Sequence, residues 1–396
     1  MPVSHSFIKS VVAAVAIAKL AVALPTVPSQ GVVVDLNSYA VLGPSGSFKN
    51  SASGLFNPTS TTAPFFQIFD DRFLDVIGEN PIFRVVSSDT SVLSYAREAP
   101  VYVASTDELF FAGFDPTDNV VSKISLAAIE TAIAGSPGSS PLNVAGTRLS
   151  LSSSLQVVNG GTGPYNGKIV FVTLGSPLAP PALALVDSTP PYATTVLLDN
   201  FFSRPFNSIN DVKIHPTSGK IFFTDPSVGN QVGLRPAPLL KNNVYRFDPD
   251  TGDIRAVASD LQAPNGIAFS HDGRHAYVSD TGAFVSLTEL DPTRAATIYK
   301  YDLEHESQAF TNRRVFAYAD TGIPDGLQLD ASENLYVGAG DGVHVYANDG
   351  TLIGKFFTGT TVANMVFAGN GRLLLLGGAD LYYVKIAANP IKISYP

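Results

Sequence analysis

The sequence predicts an all-β fold, a six-bladed β-propeller closed by a strand from the N-terminal region. Three observations carry this: a hairpin pattern that recurs six times, a repeat spacing of 55 to 60 residues between well-resolved copies, and an almost complete lack of helical periodicity. The copies begin at Glu98, near Leu155, at Asn210, Asn265 and Asp325, and at Ala363. In the first, Glu98-Ala99-Pro100-Val101-Tyr102-Val103 leads into Glu108-Leu109-Phe110-Phe111. The second is weaker and ends on Gly167-Lys168-Ile169-Val170-Phe171-Val172; it fills the 112 residues between Glu98 and Asn210, which amount to two units. Asn210 to Pro216 then leads into Gly219 to Asp225, Asn265 to Gly273 into Ala276 to Asp280, and Asp325 to Asp330 into Asn334 to Val337. Ala363 to Phe367 with Gly371 to Leu375 forms the last. Each copy reads as a short strand, a turn of Gly, Asp, Asn or Ser, and a second apolar strand. The one helix-like stretch runs from Leu126 to Ile133.

A unit of about 56 residues is too long for a β-helix coil and too regular for a sandwich, whereas four strands of this size stack radially into blades. The last unit has only 34 residues before the chain ends at Pro396, too few for a blade. A strand at Ile82-Phe83-Arg84-Val85-Val86 is therefore expected to complete it, which removes an open edge.

Composition narrows the function. The chain has 396 residues, 45% hydrophobic and 15% charged, with 25 Phe, 15 Tyr and no Cys. The aromatics supply a large core, and the absence of cysteine excludes disulfides, thiolate catalysis and Cys-based zinc sites. A net charge of -9 without basic runs excludes an electrostatic footprint for nucleic acid or anionic lipid. Residues 1–23 combine Lys9, the apolar stretch Val11 to Ala18, and a small-x-small ending at Ala21-Val22-Ala23, the pattern of a cleaved secretory signal. The expected organisation is thus a signal peptide at 1–23 and a propeller over 24–396. Residues 24–95 form an extension that packs on the propeller or closes it. The mature protein is expected to be secreted, with no membrane attachment and, lacking any acceptable Asn-x-Ser/Thr, no N-glycan.

One position in the repeat is polar where the surrounding pattern is apolar. Glu98, Asn210, Asn265 and Asp325 all stand at the start of the first strand of their units. First strands line a propeller's central channel, so equivalent positions converge on the axis. Asn and Asp before Gly also form turns, but four in register are better explained as oxygen donors to a hard cation, calcium or magnesium and then manganese. Asn207 and Ser208, on the loop just before Asn210, are the candidates for contact with substrate, and Phe201, Phe202 and Phe206 for an apolar mouth. Loops at Pro177 to Pro191 and Ser227 to Leu240 are expected to cover that mouth. Asp225, Asp280 and Asp330, at strand ends, read as turn or cap residues. His215, His271 and His275 fall in or beside turns and are expected to face solvent. His344 reads as a buried structural histidine, with a second metal beside it as the alternative.

Glu98-Ala99-Pro100, Asn207-Ser208-Ile209-Asn210-Asp211, Pro264-Asn265-Gly266 and Pro324-Asp325-Gly326 resemble the motif set of the gluconolactonase, senescence-marker-protein and luciferin-regenerating-enzyme family, closest to the fungal and bacterial lactonase branch. Phe223-Thr224-Asp225-Pro226, Tyr277 to Thr281 and Gly342 to Tyr346 resemble its secondary signatures, and the likeness covers roughly residues 95 to 385. It implies a six-bladed propeller with one divalent cation on the axis, calcium first and Mg2+, Mn2+ or Zn2+ as alternatives. Glu98, Asn265 and Asp325 would be direct ligands, and Asn210 would reach the metal directly or through water while helping to place substrate. The chain departs at Ile209, where many lactonases have Pro, and at Ser208, where some animal members have Arg.

The implied reaction is hydrolysis of sugar, aldonic or related hydroxy-acid lactones, with the carbonyl polarised by the metal and Asp325 as general base. No Gly-x-Ser-x-Gly elbow is present, which argues against a serine esterase. The alternatives are a propeller of the same family turned to a non-hydrolytic cyclisation or condensation in secondary metabolism, and a non-catalytic binding propeller.

Overall fold

The computed structural model describes residues 26–41, 43–44, 54–91, 94–115 and 120–391; the signal peptide expected at 1–23 lies outside them. Six sheets stand around one axis, as the repeat predicts. Their innermost strands are Ser94–Val103, Val158–Tyr165, Val212–Ile214, Pro264–Phe269, Leu327–Leu329 and Asn364–Phe367, here blades one to six. The first four strands of every blade run antiparallel outward, and only the added strand Gly31–Val33 in blade five lies parallel to its neighbour; in blade three Val212 faces Phe223, which in turn faces Tyr245. The second copy of the repeat begins at Val158, three residues later than the sequence suggests.

Middle strands are buried on both faces, which is why they read as continuous apolar runs rather than alternating ones. In Ile221–Asp225, Phe223 packs toward blade two among Val172 and Val212, while its neighbour Phe222 packs toward blade four with Phe269 and Tyr301. The same division recurs around the ring, so the core consists of six apolar wedges, one between each pair of adjacent blades.

Blade six closes the ring as predicted. Ile82–Ser88 lies antiparallel to Asp380–Lys385 as its outermost strand, with Phe83 opposite Val384. Its free edge is covered by the segment after the helix Leu126–Gly135, where the Leu142 and Val144 amides donate to the carbonyls of Val85 and Val86 at 3.0 and 2.8 Å. The buried Arg84 guanidinium reaches the same segment through the Ser140 carbonyl at 2.6 Å. Strands that close blade six therefore also fasten it to blade one. Further upstream, Phe65–Ile68 and Gly31–Val33 add a fifth and a sixth strand to blade five.

Phe83 packs tilted against Phe66 and edge-on against Phe356 and Tyr382 in the blade five–six wedge. Phe83→Ala is expected to cost about 3–5 kcal/mol, read as a lowered denaturant midpoint, because the cavity opens where the ring is joined.

Candidate active site

The innermost strands begin side by side at one end of the axis, and each contributes one buried polar side chain there: Glu98, Asn159, Asn210, Asn265, Asp325 and Asn364. All but Asn364 line one cavity of about 60 Å3. Close approach is possible because Ala99, Gly160, Gly266 and Gly326 follow four of them. A Cβ on Gly160 would collide with the Asn210 carbonyl, one on Gly266 with the Asp325 carbonyl, and one on Gly326 with the Asn364 amide. Hydroxyls stitch neighbouring blades at the same level: Thr224 Oγ1 donates to the Asn265 carbonyl at 2.7 Å and Ser279 Oγ to the Asp325 carbonyl at 2.8 Å.

The four positions singled out in the sequence thus face a single cavity, and two more stand beside them. Asn364 Nδ2 donates to Glu98 Oε2 at 3.1 Å, and Asn159 Nδ2 donates to the Asn210 carbonyl at 3.1 Å. Unit two also carries a polar residue at this level, one outside the four positions singled out in the sequence; the Asn159-Gly160 pair repeats Asn265-Gly266 and is the signal for it.

The electrostatics of the ring are unfavourable as it stands. Burial, with the Asp325 carboxylate beside it, pushes Glu98 well above the usual carboxylate range. Burial likewise pushes Asp325 up to about 7, with Asp211 adding to the rise and Arg97 and Asn265 opposing it. Asp325 Oδ1 and Asn210 Oδ1 are both buried without a hydrogen-bond partner. Two carboxylates, three amide side chains and unpartnered oxygens on a shared cavity form a donor set that fits a hard, oxygen-preferring cation.

Asn207 and Ser208 do not line this cavity. Asp225 accepts their backbone N–H groups at 3.1 and 2.9 Å, Ser208 Oγ donates to the Pro226 carbonyl, and Asn207 Nδ2 is directed at the Asp225, Leu240 and Lys241 carbonyls. Apart from Asn207 Oδ1, which is buried without a partner, these polar atoms secure the loop that delivers Asn210. Asp280 does the same for blade four through the N–H groups of Gln262 and Ala263, and Asp330 ties its own turn, as expected of cap residues.

The mouth also differs from expectation. Phe206 is buried against Phe223 and Tyr245, Phe201 packs on Tyr245, and Phe202 is exposed, so none of the three faces the cavity. Its apolar wall comes instead from Phe114, Leu174, Val228, Val232, Phe284 and Ile323. Of the two loops expected over the mouth, Ser227 to Leu240 contributes and Pro177 to Pro191 does not. Arg97, which sequence reasoning passed over, sits at the rim with its guanidinium 5.4 Å from the Phe114 ring centre.

The histidines need one correction. His215 is buried rather than solvent-facing, with Nε2 2.8 Å from the Gly273 carbonyl and its ring against Phe269 of the next blade. His344 is buried, with Nε2 2.6 Å from Asp341 Oδ1. Asp320, Asp341 and His344 are spaced closely enough to hold an ion, but Lys355 Nζ already lies 2.8 and 2.9 Å from the two carboxylates and supplies the positive charge. Although burial works against it, His344 and Lys355 hold Asp341 below the usual carboxylate range.

A family model described as the SMP-30/Gluconolactonase/LRE-like region matches residues 97–376, more than half of the chain. The chain belongs to the SMP-30/gluconolactonase/LRE-like family. Within it, the protein is 29% identical over 315 residues to the lactonohydrolase oryL of Aspergillus oryzae, covering 75% of this chain and 68% of that one. It is 28% identical over 322 residues to the gluconolactonase of Zymomonas mobilis, covering 78% and 81%. The solved gluconolactonase of Xanthomonas campestris superposes with a TM-score of 0.65 at 23% identity, over 81% of this chain and 94% of that one, and so shares the fold. The family match spans all of the axial residues from Glu98 to Asn364.

A carboxyl raised on folding carries more proton in the folded state, so its stabilising contribution is complete below the unfolded value and is lost as pH rises through the folded one. For Asp325 that window runs from 3.8 to about 7. Metal-free protein is expected to lose thermal stability across it, and excess calcium to restore the loss at the upper end, read as a melting temperature against pH with and without the ion.

Proposed function

We propose that this protein is a secreted, metal-dependent lactonase acting on small lactone esters. The single observation that carries the reading is the axial ring: two buried carboxylates, Glu98 and Asp325, with unpartnered oxygens on Asp325 and Asn210, in a family whose relatives include proteins named lactonohydrolase and gluconolactonase. Glu98, Asn210, Asn265 and Asp325 would hold one divalent cation, calcium before magnesium, manganese or zinc, because all four offer oxygen. When bound, that ion polarises the ring carbonyl and offsets the charge that develops on its oxygen.

The remaining work falls to the protein. Asp325 is the general base: it accepts a proton from water as the water oxygen adds to the carbonyl carbon, then returns it to the ring oxygen as the C–O bond breaks. Glu98 is an anchor, held in place by Asn364. The Asn210 and Asn265 amides orient the substrate oxygens, and the apolar wall lowers the local dielectric around the reacting atoms.

Proton release from a panel of five- and six-membered lactones, with calcium and with a chelator, tests the reading. Calcium-dependent release is expected, and Asp325→Asn should lower kcat by about 100-fold or more while the melting transition persists. Parental turnover by Asp325→Asn would overturn the assignment of the base. Secretion predicts that protein exported by a eukaryotic host starts at Leu24, which N-terminal sequencing of the medium fraction checks.

A further inference from the structure

The axial cavity is not closed. Arg97, Phe284, Leu287, Ile323 and Asp325 line it and also line a groove of about 620 Å3 that continues outward under the hairpin formed by Phe284–Ser286 and Glu289–Leu290. This hairpin rises from blade four and had no counterpart in the repeat. A substrate whose ester lies at the axial carboxylates therefore has room in one direction for a substituent roughly ten times larger than the cavity holding its reacting end.

The walls decide what that substituent is. Above the polar floor the axial cavity is faced by Phe114, Leu174, Val228 and Val232; in the groove Ser94, Ser286, Thr288, Glu289 and Thr361 contribute polar groups, and the stretch that continues the apolar surface is Leu287, Leu290 and Ile323. A sugar lactone needs a donor or acceptor for each hydroxyl, and each hydroxyl buried against these side chains would lose its bonds to water without replacement. An alkyl chain loses nothing polar and removes apolar surface from water on both sides. Leu287 carries the argument further. It lies at the tip of the hairpin, 59% exposed, a large apolar side chain turned to the groove with little of the protein covering it.

We propose that the substrates are lactones bearing an apolar side chain, and that the chain lies in the groove between the Phe284–Leu290 hairpin and Ile323. The proposal rests on the lactonase reading and specifies its substrate class. Chain length then acts as a specificity term, because each methylene that enters the groove adds the transfer energy of one buried CH2.

The test compares the full-length mature protein, loaded with calcium, on γ-butyrolactone, on the same ring carrying a butyl or an octyl chain, and on glucono-δ-lactone. The expected result is a kcat/KM that rises by about fourfold for each methylene buried, with glucono-δ-lactone the poorest of the set. Leu287→Asp, at an exposed position where folding is little affected, should reduce the octyl-to-butyl ratio by roughly tenfold, and Ile323→Asp should do the same from the opposite wall. A flat series, or a preference for glucono-δ-lactone, would overturn the proposal and leave the lactonase reading standing. A rising series that neither variant flattens would place the chain elsewhere and overturn the groove assignment. No release from any lactone would overturn both readings together.

Discussion

Six strands start at one axis, and five of their polar side chains are buried on one cavity of about 60 Å3. This convergence sets the conditions for the rest of the structure. The backbones meet so closely that Gly160, Gly266 and Gly326 cannot carry a side chain, and Ala99, in the equivalent place after Glu98, adopts a φ of 52°. The aromatic wedges, the Thr224 and Ser279 stitches and the closing strand at Ile82–Ser88 all serve to hold that ring in register.

The site has two parts with different origins. Its floor belongs to the repeat: one residue per blade, at one level, presenting oxygen and amide groups. The wall comes from insertions between strands, the helical turn Val228–Gln231 and the hairpin after Asp280, together with Phe114 and Leu174 at the ends of second strands. An apolar wall above a charged floor lowers the local dielectric and so strengthens every charge interaction below it. The same surroundings that raise Glu98 and Asp325 would make them tight partners for a cation. Conserving the fold while changing the insertions would alter what the floor acts upon without disturbing it.

A second buried charge cluster shows what a satisfied network looks like in the same molecule. Around Lys355, the carboxylates of Asp320 and Asp341 and the imidazole of His344 pair with one another, and Asp341 is lowered rather than raised. Among the described residues the axial ring has no such ammonium at its centre; Arg97 stands at the rim and opposes the rise of Asp325 only in part. That contrast separates a network whose carboxylates have a cationic side chain among them from a ring whose two carboxylates are accompanied by amides.

What was legible in the sequence was whatever repeats. The hairpins, the closing strand and four axial residues follow from periodicity, because each copy states the same local rule and the copies corroborate one another. Asn159 was legible too, through Asn159-Gly160, but the second unit was set at Leu155 and its register was lost. The tertiary structure alone decided the rest. Asn207 and Ser208 look like substrate contacts by position, yet Asp225, a residue 18 and 17 positions away, takes their N–H groups for the loop. His215 looks exposed in its turn, yet the neighbouring blade covers it. The sequence by itself determined the fold, the level of the site and the chemistry of its floor, since these depend on residues in register. Which side chains wall the mouth depends on insertions that occur once, from different blades, and only the closed ring brings them together.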